Sequence, residues 1–181
     1  MSGADVDTFD TALICAGAGT SALAAGAGIG TPSALEHHLR VSFPVRPGSS
    51  GPWQCWITEP AGEVLGTYQH QAARGSWAVG GDLDPALVAW EGGRVAAEQA
   101  SLEALTAYAA EHLPFVEPRP VARVYCTHAP ALGDGLQFVR NGRVLATYGE
   151  NLMKFAPLLG EVLAQACVDG STPADAGPGA G

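Results

Sequence analysis

Several short stretches of this 181-residue chain carry residue types able to do chemistry. Gly17-Ala18-Gly19-Thr20-Ser21-Ala22 follows directly on the apolar run Thr11–Ala16 and fits a G-x-G-x-x-A loop. Glu36 lies roughly 20 residues on, where a ribose acceptor would stand. Such a loop seats a diphosphate on the amino terminus of the helix it opens. The same residues also read as a plain strand-to-helix turn, and the meander strands that follow, in place of a βαβ unit, favour that reading. His37-His38 has no third ligand at metal spacing and reads as a solvated helix end or turn. His70 has no evident partner in the sequence. Cys15, Cys55, Cys126 and Cys167 are widely spaced without a C-x-x-C pair, so unmodified thiols in a reducing cytoplasm are expected. No G-x-S-x-G, Ser-His-Asp order or H-E-x-x-H is present, so hydrolase and zinc-protease chemistry have no support, and no metal is expected.

These residues need elements to hold them. The chain is long enough for one domain with a real core, expected over residues 9–170, with residues 1–8 and the tail 171–181 disordered. Thr11–Ala16 fits a buried strand, and Thr20 or Ser21 is placed to cap a short helix through Ala25. Leu39–Val45, Trp53–Thr58, Val64–His70 and Ser76–Val79 read as strands of an antiparallel meander, separated by Pro- and Gly-rich turns. Arg94–His112 has the spacing of one amphipathic helix, with Val95, Leu102, Leu105 and Tyr108 near one stripe, and Pro114 ends it. Val121–Tyr125, Leu136–Val139 and Arg143–Tyr148 follow as strands, the last two joined by a tight turn at Asn141-Gly142. Leu158–Val168 closes the chain as a helix, with Pro157 suited to its first turn. The pattern predicts an α+β fold: a largely antiparallel β-sheet with one long and one carboxyl-terminal helix.

Composition narrows the partners. Nine Lys and Arg face 18 Asp and Glu, for a net charge of −9, which argues against nucleic acid and anionic membrane surfaces. No apolar run approaches the roughly 18 residues of a membrane span, and the acidic amino terminus lacks the features of a signal peptide.

Three blocks resemble one family, the sarcosine oxidase and D-amino-acid-oxidase-like FAD-dependent oxidoreductases. DTALICAGAGTSALAAGAGIGTPSALEHHLRVSFPV looks like the family's strand, A-A-G-A-W-[ST]-x-x-L and Pro-led strand at the junction of its two domains. LPFVEPRPVARVYCTHAP is similar to the stretch that ends its long helix and enters a strand beside the flavin. NGRVLATYGENLMKFAPLLGEVLAQACVDG is similar to the closing block G-x-S-G-H-G-F-K-F-[AS]-P-x-[LV]-G-E-x-[LI]-A, with Lys154-Phe155-Ala156-Pro157 and Gly160-Glu161 in register. The resemblance spans about Phe9 to Gly170 and implies the carboxyl-terminal, substrate-domain half, without the amino-terminal FAD-binding Rossmann half.

The resemblance also locates departures. Glu150 and Leu152 stand where the family has Gly, and Asn151 where it has His, which implies side chains crowding a bound isoalloxazine ring. The family's oxygen-activating Lys aligns with Ala78, and its covalent-flavin Cys with Arg123, three positions before Cys126. Losing the Lys charge removes stabilisation of a developing superoxide. The implied substrate side comprises Lys154, as carboxylate binder, with Asn151, Tyr125, His128 and Tyr148. Asp82, aligned with a cavity-wall His, and Glu150 are the implied acid-base pair, their pKa values pushed apart by burial beside Lys154. The isolated chain is then expected to hold no cofactor. FAD would bind, at Gly17, Gly19 and Arg123, only with a partner subunit, and a homo-oligomer is the other assembly. The function implied is the substrate domain of an amine or amino-acid oxidoreductase, not an active oxidase alone. The alternative is a repurposed cofactor-free binding protein or isomerase of secondary metabolism.

Overall fold

The computed structural model describes residues 8–32, 34–49, 54–128, 135–149 and 152–174. The fold is α+β, with antiparallel pairing throughout the larger of two sheets and a carboxyl-terminal helix. The chain forms two compact units: Leu35–His128, and Met1–Ala34 together with Ala129–Gly181.

The first unit is a five-stranded antiparallel sheet covered by a long helix. Its strands are β2 (Glu36–Pro44), β3 (Trp56–Thr58), β4 (Thr67–Ala72), β5 (Ser76–Gly81) and β6 (Ala122–His128), in the order β3-β4-β5-β2-β6. Because a strand alternates faces residue by residue, β2 sends His37, Leu39, Val41 and Phe43 to one side, all buried. Helix α3 (Arg94–His112) lies there, and Leu105 and Ala109 join Leu39, Val41, Phe43, Trp77 and Val79 in one core. A short helix α2 (Pro85–Val88) precedes it, capped by the Asp84 carboxylate, which accepts from the Ala86 amide at 2.9 Å.

The bounds predicted for α3 are those observed, and Leu105, Leu102 and Tyr108 of the predicted stripe pack on the core, but Val95 does not. Val95 is 85% exposed, whereas Ala97, Ser101, Leu105 and Ala109 are buried. This is an i, i+4 stripe of mostly small residues, which carries little apolar contrast but allows close approach to the sheet.

The second unit is a three-stranded sheet with a helix on each face. β1 (Ala12–Ile14) runs parallel to β8 (Val144–Gly149), which pairs antiparallel with β7 (Leu136–Asn141). Helix α1 (Thr20–Gly26) and Ile29 cover Ala146 and Val144. Helix α4 (Ala156–Asp169) covers the other face with Leu159, Leu163 and Ala166 against Phe138 and Leu145. The β7–β8 turn is tight, with Asn141 opposite Val144 and Gly142 at φ 55°, the left-handed geometry a two-residue hairpin demands at its first loop position. Arg140 ties α4 to β7 by donating to the Ala166 and Ser171 carbonyls at 2.8 and 2.9 Å, a cation at the helix's negative end.

Neither hydroxyl expected to cap α1 does so. Thr20 Oγ1 accepts from the Ala16 amide at 3.2 Å, closing the turn before the helix, and Ser21 Oγ donates to the Pro32 carbonyl at 2.9 Å.

Candidate functional site

Strand β2 begins at Glu36, not near Leu39, and this places the two histidines expected in a turn on a strand instead. They face opposite ways. His37 is 5% exposed on the α3 side. It stacks on Trp90 with centroids 4.8 Å apart. Its Nε2 stands 3.3 Å from the Trp90 carbonyl, which can only accept, and its Nδ1 lies 2.8 Å from the Tyr125 hydroxyl. The neutral ring therefore donates from Nε2 and accepts from Tyr125 at Nδ1. Arg94 covers the Tyr125 ring at 3.9 Å.

The other face of the same sheet carries a different set. Cross-strand pairs share a face, and the register couples Glu36 to His128, His38 to Cys126, Arg40 to Gly80 and Gly80 to Tyr68. The Tyr68 ring crosses β5 directly over Gly80. A Cβ on Gly80 would fall 2.3 Å from two Tyr68 ring carbons, so only glycine admits the ring there. The ring meets His38 edge-on at 5.6 Å, and His38 meets His128 at 6.1 Å. An Arg40 guanidinium NH donates to His70 Nε2 at 3.1 Å, and His70 Nδ1 is 2.8 Å from the Gln71 carbonyl. His70, without an evident partner in the sequence, thus has two: it donates from Nδ1 and accepts from Arg40. Burial, with smaller contributions from Cys126 and Asp82, raises the Tyr68 pKa, against a partial offset by Arg40. His38, Arg40, Tyr68, His70 and His128 are all half-buried, and Cys126 is exposed.

The residues singled out from the sequence scatter across this frame. His128 lies on the outer face, while Tyr125 lies on the α3 face with its hydroxyl bonded to His37. Arg123 pairs with Val41 and so sits on the α3 face. Ala78, opposite His70, sits on the outer face with Cys126. The two positions aligned with flavin-side groups, 78 and 123, therefore fall on opposite faces, whereas 78 and 126 share one. Asp82 is exposed just after β5, its amide donating to the Gly66 carbonyl.

Tyr148 is half-buried on β8 opposite Gln137, on the α1 side of its sheet. Lys154 is exposed in the 3-10 turn Leu152–Phe155 that leads into α4. Gly17 and Gly19 form an exposed 3-10 turn before α1, a helix of only seven residues. Glu150 and Asn151 lie outside the described residues. Among those described, no group of three His, Cys, Asp or Glu side chains has a metal-binding arrangement.

Leu152 departs from expectation. It does not project as a free side chain but packs against the Phe138, Leu145, Leu159 and Leu163 cluster, since an apolar side chain beside an apolar cluster is drawn into it. Gly149, just before Glu150 and Asn151, has φ 148°, and the site of its missing Cβ lies 2.0 Å from the Gly135 carbonyl oxygen. The close approach that glycine permits here is used by the chain's own backbone. Gly80's is used by Tyr68.

Sequence reading missed His38, Arg40, Tyr68 and His70. The signal was present in Glu36–Pro44, EHHLRVSFP, where polar residues alternate with buried ones once the strand begins two residues before His38.

No family model matches the chain, and no curated protein does. Solved structures do. One is NikD, an unusual amino acid oxidase essential for nikkomycin biosynthesis, in its open form, at 19% identity and a TM-score of 0.65 over 88% of this chain and 44% of that one. Another is the FAD-dependent oxidoreductase PA4991 from Pseudomonas aeruginosa, at 20% identity and a TM-score of 0.49 over 93% of this chain and 48% of that one. The chain spans a little under half the length of either. Its fold is similar to that of part of NikD.

Proposed function

We propose that this chain is the substrate-facing part of an FAD-dependent amine or amino-acid oxidoreductase of the sarcosine oxidase type and is not an oxidase alone. The FAD-binding half is supplied by a partner subunit, and the ligand of this part is a small molecule on the outer face of the five-stranded sheet. The supporting observation is the fold likeness to NikD over 88% of the chain. A cytoplasmic setting fits four cysteines with no disulfide among the described residues, and no helix among them is long and apolar enough to cross a membrane.

A specific observation favours a second reading, a cofactor-free binding protein or isomerase of secondary metabolism. At Gly80 and Gly149 the space beside the backbone is filled by the chain's own atoms, Tyr68 and Gly135. One measurement separates the readings from a conventional oxidase: the visible spectrum of the purified chain after incubation with FAD and desalting. It is expected to be colourless, and yellow only with a partner chain. A stoichiometric flavin spectrum from the isolated chain would overturn both readings.

A further inference from the structure

We propose that the exposed flank of α4 is a docking surface for a second copy of this chain, joined antiparallel about a two-fold axis near Gly160. This concerns the chain by itself and does not rest on the reading above. Helix α4 carries two apolar stripes where its own core uses one. Leu159, Leu163 and Ala166 are buried against Phe138 and Leu145. Phe155, Leu158 and Val162, at the three- and four-residue spacing of a helix-packing seam, lie beside that stripe and stay in water at 43, 58 and 36% exposure. Single apolar residues at a surface are ordinary, whereas neighbouring ones on one stripe mark an interaction site.

Charge, shape and register select a copy of the chain as the occupant. Exposed Lys154 stands at the start of the stripe and exposed Asp169 at its end, and none of the ion pairs among the described residues involves either. An antiparallel second copy brings each Lys154 toward the Asp169 end of the other, and does so twice, as an isologous interface requires. The Ser171 amide donates to Asp169 Oδ1 at 2.8 Å and its carbonyl accepts from Arg140 Nε at 2.9 Å. These bonds hold the segment after α4 beside the helix and leave a shallow hollow lined by Val162, Gln165, Ser171 and Pro173. When Leu158 meets Val162 of the second copy, Phe155 falls level with Gln165 of that copy, at this hollow. One pairing therefore fills the seam and seats both aromatic rings.

Sedimentation velocity on the full chain, from about 1 to about 500 µM, reads the balance of monomer and dimer. The interface is small, so a dimer that forms with rising concentration is expected. Leu158→Glu should weaken it at least about 100-fold, because two like charges then meet at the centre of the seam. Val168→Glu, at a residue 85% exposed and off the stripe, should leave it nearly unchanged. Lys154→Glu and Asp169→Lys should each weaken it about ten-fold, since either one turns both end pairs repulsive. Mixing those two variants should restore it as a mixed pair, because each carboxylate then meets an ammonium. A monomer throughout the range would overturn the proposal and leave the face to a partner of another sequence. So would a dimer untouched by Leu158→Glu, one equally lost in Val168→Glu, or a mixture no tighter than its two components. Circular dichroism checks that each variant folds. Should Leu158→Glu fail to fold, Val162→Lys takes its place with the same expectation and the same power to overturn.

Discussion

The two faces of the five-stranded sheet are built from alternate residues of the same strands, yet they solve opposite problems. Toward α3, one set of polar groups is enclosed and bonded within the core. Trp77 Nε1 donates to Gln69 Oε1 at 2.9 Å, and Gln69 Nε2 donates to Thr67 Oγ1 at 2.8 Å and to the Tyr108 hydroxyl at 3.0 Å. Such closed networks specify one packing arrangement, because an unsatisfied buried member is costly. On the outer face, Arg40, His38, Tyr68 and His128 remain half-open, and a guanidinium is set beside an imidazole instead of a carboxylate. One face holds the fold. The other holds groups that folding alone does not require, and that asymmetry is the physical basis for placing ligand binding there.

The sharpest way to break this comparison is to remove one large side chain from each face. Trp77 is fully buried among Leu39, Phe43 and Leu105 and packs on Trp56 and Phe115 at 5.4 and 5.5 Å. Trp77→Ala is expected to lower unfolding free energy by about 3–5 kcal/mol, the range for a large aromatic leaving a cavity. Val124, 47% exposed on the outer face, should cost no more than about 0.5 kcal/mol as Val124→Ala. Urea unfolding measures both. Equal losses would mean that the outer face is as much core as the inner one.

Much of this division was legible in the sequence and part was not. The α3 limits, the β7–β8 turn and the antiparallel meander follow from apolar periodicity and from glycine at a left-handed turn position. The buried stripe of α3 escaped because Ala97, Ser101 and Ala109 carry little hydrophobic signal, while the larger Val95 points to solvent. The outer-face site escaped for another reason. His37-His38 reads as a polar pair suited to a turn, and only the pairing of β2 with β6 shows one ring entering the core and the other joining Tyr68. Tyr125 and His128, three residues apart on one strand, were grouped from the resemblance, but an odd spacing puts them on opposite faces. A resemblance transfers positions in sequence, and strand parity decides which of them can meet.

Gly80 offers a finer probe of the outer face. An added Cβ would overlap the Tyr68 ring at 2.3 Å while leaving the strand's φ ordinary. Gly80→Ala is expected to cost about 1–3 kcal/mol through overpacking. In a Tyr68→Ala background most of that cost should vanish, giving a coupling energy of about 0.5–3 kcal/mol in a double-mutant cycle. Additive losses would show that Gly80 answers to the backbone and not to the ring, and that the Tyr68 seat is incidental.

The smallest expected effect concerns the Tyr68 hydroxyl. Burial is the main cause of its raised pKa, Cys126 and Asp82 add to it, and Arg40 opposes. In the unfolded chain the same phenol ionises in the ordinary tyrosine range. Ionisation is therefore disfavoured in the fold, so this group's contribution to stability is fully present below that range and is lost as pH climbs from it through the raised folded value. Tyr68→Phe should delete a component of the phenolate absorbance that titrates above the ordinary tyrosine range and soften the alkaline fall in stability, with little change near neutral pH. Because Arg40 pulls the pKa down, Arg40→Gln should move that component to still higher pH. Movement in the other direction would mean that the guanidinium does not face the ring, and would detach the charge from the aromatic wall on which the outer-face comparison depends.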